Sequence, residues 1–158
     1  MGPKVFSTKL QSTVIVAVKS LSTLSWENSF DIADLFGRKI LGDKIILNEN
    51  RGLLNILVID CGIKNSQLRS LLRHEVQLTI VNTNYHFIDE VLNNKYAGIF
   101  LSNGPGNPTS SISVVEQLKT VFENNLNIPI FGICYGHQLI GLASGCDIKK
   151  MKYGNRGH

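Results

Sequence analysis

The sequence predicts an α/β protein with a mostly parallel sheet and helices on both faces. Three observations carry this. From Asn55 onward, short apolar runs alternate with stretches of helical spacing. The first run, Asn55–Asp60, is nearly continuous in Ile, Leu and Val, the mark of a strand covered on both sides. Strands and helices taken in turn join parallel neighbours through crossovers, which place helices on the two faces of the sheet.

After the first strand, Cys61-Gly62 turns the chain, and residues 65–73 read as a helix with Leu68, Leu71 and Leu72 on one side. Residues 76–81 are β-branched and alternating, a second strand. Residues 87–93 form a shorter helix through Phe87, Ile88, Val91 and Leu92. A third strand over 98–102 runs into Asn103-Gly104-Pro105-Gly106-Asn107-Pro108, turn chemistry throughout. Ile112–Glu123 repeats Val114, Val115, Leu118, Val121 and Phe122 at helical spacing. Residues 128–133 make the fourth strand, residues 136–143 the next helix, and residues 147–153 a further strand. Residues 1–50 stay outside this rhythm and form an unassigned amino-terminal segment, with one helix expected over 31–41 and a strand at Lys44–Leu47. The predicted domain is 51–158.

Length and composition fit one packed core: of 158 residues 43% are hydrophobic and 18% charged, too few charges for a disordered chain. The formal charge of +4 comes from scattered Lys and Arg, with no block of like charge and no interleaved aromatics, so no nucleic-acid partner is expected. Three cysteines without paired short spacings argue against a disulfide framework or a zinc site and for a reducing, cytoplasmic setting. The apolar run 14–18 is too short for a signal-peptide core or a membrane span, and Phe6 stands where myristoylation needs Ser or Thr.

In a parallel sheet the functional edge is where the strands' carboxyl ends emerge. Three predicted loops meet there: Cys61-Gly62, residues 103–108 and residues 134–136. In Phe131-Gly132-Ile133-Cys134-Tyr135-Gly136-His137-Gln138 a strand runs into Cys134 and a helix starts at once. This is the cysteine counterpart of the Gly-x-Ser-x-Gly elbow, in which flanking glycines relieve crowding and the side chain is pushed into the open. The sulfur then faces a helix N-terminus, which favours negative charge, and the Tyr135 amide points into the same space as an oxyanion donor. The plainer reading is a tight turn whose cysteine serves as a small apolar residue. The glycine loop adds weight to the first reading: at the end of the adjacent strand its exposed backbone groups suit a second oxyanion donor and an amino-acid substrate, although standing alone it reads as a structural loop.

Gly132 to Gln138, taken with Ser102-Asn103-Gly104-Pro105-Gly106-Asn107-Pro108, resembles the class I glutamine amidotransferases, flavodoxin-like domains that hydrolyse glutamine with a Cys–His–Glu triad. Val58 to Asn65 and Lys150 to His158 resemble the carbamoyl phosphate synthetase branch, in the form of the eukaryotic pyrimidine-pathway enzymes. The likeness covers about residues 52–158. It implies Cys134 as nucleophile, Tyr135 and Gly104 as oxyanion amides, and Gly106 and Gln138 as groups that hold L-glutamine. It implies no metal or organic cofactor in this domain. The partner is a carbamoyl phosphate synthetase large subunit or domain, where ATP and magnesium act, and no membrane is involved. Asn107 replaces an Asp common in the family.

The family's His-x-Glu pair is absent from the 158 residues, so the chain is expected to be a fragment, truncated at the C-terminus of the domain and inactive alone. Four histidines occur, none a convincing base. His137 is one helical turn beyond Cys134 and reads as structural, His74 and His86 as solvated, and His158 ends the chain. Cys61 lacks the elbow's glycines, and Cys146 is expected to pack locally. The rival functions are an amidotransferase for anthranilate, GMP or CTP synthesis, a non-catalytic docking module, and a cysteine hydrolase without preference for glutamine.

Overall fold

Seven short strands share one sheet in the computed structural model, which describes residues 15–18, 38–49 and 52–152. They are β1 (Ile15–Val18), β2 (Arg38–Leu41), β3 (Lys44–Leu47), β4 (Asn55–Asp60), β5 (Gln77–Asn82), β6 (Gly98–Leu101) and β7 (Ile130–Ile133). Their order across the sheet is β1-β7-β6-β4-β5-β3-β2. The pairs β1/β7, β7/β6, β6/β4 and β4/β5 are parallel, while β3 joins β5 and β2 joins β3 antiparallel. The sheet is thus mostly parallel, as the alternating pattern requires, with an antiparallel hairpin on one side.

Helices follow the parallel strands: α1 (Asn65–Leu72), α2 (Ile88–Leu92), α3 (Ile112–Glu123) and α4 (Tyr135–Ala143). Because successive strand residues face opposite ways, the sheet builds two cores. Leu57, Ile59, Ile99, Leu101 and Ile130 pack with α2, α3 and α4. Val58, Leu78, Ile80, Phe100 and Ile133 pack with Leu68 and Leu72 of α1 on the other face. The rings of Phe100 and Phe131, register partners on β6 and β7, stack at 5.6 Å on that second face. Both faces of β4 are buried, hence its unbroken apolar run.

Two expectations fail. Residues 38–41 are not part of a helix over 31–41: Arg38–Leu41 pairs with Lys44–Leu47 through the two-residue turn Gly42-Asp43, where Gly42 takes a φ of 56°. Gly-Asp between two apolar runs is a hairpin signal that a helical reading of residues 31–41 masks; residues 31–37 lie outside the described residues. Residues 147–152 form no strand. They are exposed and none joins the sheet, so alternation alone does not make a strand of them; Tyr153 lies outside the described residues. Three strands, β1 to β3, come from the unassigned first fifty residues. A 3-10 turn at Pro108–Ser111, unanticipated, starts at Asn107, whose side chain accepts from the Thr109 amide at 3.1 Å.

The hairpin is fastened to α2 by one carboxylate. Glu90 accepts from Lys44 Nζ and Tyr85 Oη, and from Tyr96 Oη at 2.6 Å. The ammonium of Lys44 also lies 5.3 Å from the centre of the Tyr85 ring. Burial alone would raise the Glu90 carboxyl, but the bonds from Lys44, Tyr85 and Tyr96 outweigh it and bring it down to about 2. A carboxyl lowered on folding contributes stability above its unfolded value of about 4.3, and that contribution is lost as pH falls towards 2. Melting temperatures recorded from pH 7 to pH 3 are therefore expected to drop below pH 5, with a shallower drop for Glu90→Gln. Parallel curves for the two proteins would refute this.

Candidate active site

Cys134 sits between the last residue of β7 and the first of α4 with φ 51° and ψ −100°, and it is exposed. Such a conformation costs a non-glycine residue roughly 1–3 kcal/mol and persists only where its surroundings enforce it. Here they do. A Cβ on Gly132 would lie 2.7 Å from the carbonyl carbon of Gly136 and from the amide of His137. One on Gly136 would lie 2.3 Å from the Leu101 carbonyl oxygen. Gly136 instead donates its amide to the Ser102 carbonyl at 3.1 Å, pinning the start of α4 to the end of β6. The strand–turn–helix expected at Cys134 is present, with the thiol turned outward.

The other two loops close against each other backbone to backbone. A Cβ on Gly104 would fall 2.0 Å from the carbonyl oxygen of Cys61, and one on Gly62 would fall 2.9 Å from Pro105 Cδ. Asn103 Nδ2 donates to the Gly62 carbonyl at 3.2 Å, while its buried Oδ1 has no partner among the described residues. Ser102, fully buried, is the hub. Its hydroxyl accepts from the Cys61 amide at 2.9 Å and donates to the Asn103 carbonyl at 2.8 Å, and its amide donates to the Ile59 carbonyl at 3.2 Å. One Asp60 oxygen accepts from the amides of Gly62 and Ile63, both at 2.8 Å, and shapes the first loop. Ser102 and Asp60 lie within the segments that resemble the family, but no role was assigned to either from sequence; Asp ahead of a glycine turn is the local signal for the latter.

The structure thus brings Cys134, Tyr135, Gly104 and Gly106 to one edge of the sheet, through Gly136 on Ser102 and through Tyr135, whose hydroxyl donates to the Asn107 carbonyl at 3.1 Å. Among the described residues no acceptor meets the amides of Gly104 and Tyr135. Gln138 is exposed on the first turn of α4, its amide bonded to the Cys134 carbonyl at 3.1 Å. Gly106, with φ 96° and open space around it, is exposed.

His137 is exposed on the same turn; His74 and His86 are exposed elsewhere, with His86 Nε2 3.5 Å from Asp89. Cys146 does not pack as expected but is exposed, because it follows the last turn of α4, where its amide bonds the Gly141 carbonyl at 2.9 Å. Cys61 differs from both other cysteines. Burial first, and the nearby Asp60 charge second, push its thiol up to about 12 against a smaller downward pull from Ser102. Alkylation with iodoacetamide at pH 8 is expected to modify Cys134 and Cys146 and to leave Cys61 unmodified, because only thiolate reacts. Peptide mapping that found Cys61 labelled as fast as the others would contradict this. Among the described residues no three His, Cys, Asp or Glu side chains are placed to hold a metal ion, and no helix is long and apolar enough to cross a membrane.

A strained cysteine at a strand-to-helix elbow beside a glycine loop is a constellation with known relatives. The chain belongs to the class-I glutamine amidotransferases, whose family model matches residues 57–158. Within that family it is similar to carbamoyl phosphate synthase proteins. It is 51% identical over 105 residues to the carbamoyl phosphate synthase arginine-specific small chain of Debaryomyces hansenii, a match that covers 66% of this chain and 24% of that one. It is 45% identical over 106 residues to the multifunctional protein ura1 of Schizosaccharomyces pombe, covering 67% of this chain and 4% of that protein. With the multifunctional protein URA2 of Saccharomyces cerevisiae it shares 36% identity across 85% of this chain and 7% of the other, more of this chain than residues 51–158 alone supply. The chain spans about a quarter of the length of the small chains it matches. A crystal structure from Thermoplasma acidophilum, described as that of a GMP synthase protein, superposes with a TM-score of 0.53 at 29% identity, covering 66% of this chain and 52% of that one.

Proposed function

We propose that this chain carries the nucleophile and oxyanion half of a glutamine-hydrolysing site that feeds ammonia to a carbamoyl phosphate synthetase, for pyrimidine or arginine synthesis. The observation that carries the reading is Cys134, exposed and strained between two glycines that cannot bear a side chain, beside a glycine loop with a free amide.

The thiolate of Cys134 adds to the side-chain amide carbon of glutamine. Negative charge gathers on the carbonyl oxygen, where the amides of Tyr135 and Gly104 donate. The carbon–nitrogen bond then breaks, nitrogen leaves as ammonia once it has taken up a proton, and a glutamyl thioester remains. Water cleaves the thioester to glutamate and restores the thiol. Gly106 and Gln138, both exposed at this edge, hold the amino-acid end of the substrate. The domain needs no metal or organic cofactor for this; ATP and magnesium act in the large subunit or synthetase domain that receives the ammonia. The same chemistry would serve a GMP-type amidotransferase, but the relatives at 45–51% identity favour carbamoyl phosphate synthesis. A reducing, cytoplasmic location suits a working thiol.

The test is covalent. A glutamine analogue bearing an electrophilic carbon in place of the amide is expected to label Cys134 well before Cys61 or Cys146, and free glutamine to protect it. Labelling of Cys134 and exposed Cys146 at the same rate, without protection, would defeat the proposal.

A further inference from the structure

We propose that the phenol of Tyr135, a group the thioester chemistry leaves without a task, is the clamp that holds the glycine loop in register with the nucleophile. This rests on the reading of Cys134 as the nucleophile and adds a positioning residue to that site.

The ring of Tyr135 is buried, with 5% of the residue exposed, and its oxygen reaches back across the sheet edge to the far end of the loop. It lies 3.1 Å from the Asn107 carbonyl, 3.0 Å from Ser111 Oγ and 3.3 Å from Ser110 Oγ. A phenol has a single proton. With that proton on the Asn107 carbonyl, the Ser111 hydroxyl must be the donor to the phenol oxygen. Asn107 directly follows Gly106 and stands three residues after Gly104, so its carbonyl marks where the loop ends.

The loop's beginning is fixed by Ser102 and by the contacts of Gly104 and Gly62 with the neighbouring loop. Its far end is packed through buried Pro108, but among the described residues its hydrogen bonds to the elbow come through the Tyr135 phenol. Gly106 has nothing within 4 Å of a built Cβ, and the other bonds to the Asn107 carbonyl come from Ser110, within the same 3-10 turn. Tyr135 is therefore the link from that end to the elbow. One residue supplies an amide beside Cys134 and, through its side chain, holds the far end of the loop, next to Gly106, against the elbow.

Tyr135→Phe removes one oxygen and keeps the buried ring. The Asn107 carbonyl retains the Ser110 amide at 3.0 Å and the Ser110 hydroxyl at 2.7 Å, so no buried acceptor is orphaned and the fold survives. Two measurements on the 158-residue chain test the clamp. Amide hydrogen exchange across residues 104–111 is expected to speed up roughly tenfold in Tyr135→Phe, the scale of a lost net hydrogen bond. Labelling of Cys134 by the electrophilic glutamine analogue is expected to slow by about the same factor, whereas iodoacetamide, which needs no loop, reacts at the wild-type rate.

Unchanged exchange would overturn the clamp. So would faster exchange with unchanged analogue labelling, or a parallel fall in both labelling rates, since the elbow itself would then have been damaged. If wild-type Cys134 showed no preference for the analogue, the amidotransferase reading would fall, while the exchange data would still decide whether Tyr135 holds the loop.

Discussion

On the proposed function, Cys134→Ser, assayed with the synthetase, is expected to lower glutamine-dependent carbamoyl phosphate formation by more than about 10³-fold and to spare the reaction driven by added ammonia. The reasoning is local. A serine oxygen at the elbow keeps the size and the φ of 51°, so α4 and its bond from Gly136 to Ser102 stay in place. What goes is the sulfur nucleophile. A hydroxyl is a far weaker nucleophile than a thiol towards an amide carbon. Steady-state assays with glutamine and with ammonium chloride separate the outcomes. Equal loss of both activities would assign Cys134 a role in assembly, and retention of both would remove it from the chemistry.

Gly104→Ala carries the second large effect. The new methyl would sit 2.0 Å from the Cys61 carbonyl oxygen and 2.9 Å from Cys61 Cβ, so the two loops must part by about an ångström or more. Backbone, not a flexible side-chain tip, is in the way. Overpacking of this kind costs about 1–3 kcal/mol of stability. The larger loss is in reactivity, because an oxyanion amide displaced by about 1 Å sacrifices on the order of 10² in rate. Gly42→Ala is the control. It has a φ of 56° and open space, so it brings backbone strain in the hairpin turn without touching the site. Its melting temperature is expected to fall while analogue labelling of Cys134 stays at the wild-type rate. If Gly104→Ala labelled as fast as Gly42→Ala, the Gly104 amide would have no part in stabilising the oxyanion.

Much of this architecture was written in short stretches of sequence. α3 spans Ile112–Glu123 as its apolar spacing predicts, and β4 spans Asn55–Asp60, because a helix stripe and a doubly buried strand are local patterns. The elbow is local as well: glycines two residues to each side of Cys134 leave room for the close packing that forces its φ positive. Local pattern also misled. Residues 38–41 were read as the end of a helix and residues 147–152 as a strand, because periodicity records which residues could face a core and says nothing of what lies opposite them.

By itself, then, the sequence determined the alternation of strands and helices, the turn chemistry of residues 103–108 and the position of the exposed thiol. Tertiary structure alone decided the rest. β1 aligns with β7 across more than a hundred residues, Ile15 opposite Ile130. Lys44 meets Glu90 from 46 positions away, and the Tyr135 hydroxyl meets the Asn107 carbonyl from 28. These contacts leave no periodic trace, because each depends on which strands become neighbours in the sheet. That choice is made by burying both faces at once, not by any one segment's preference.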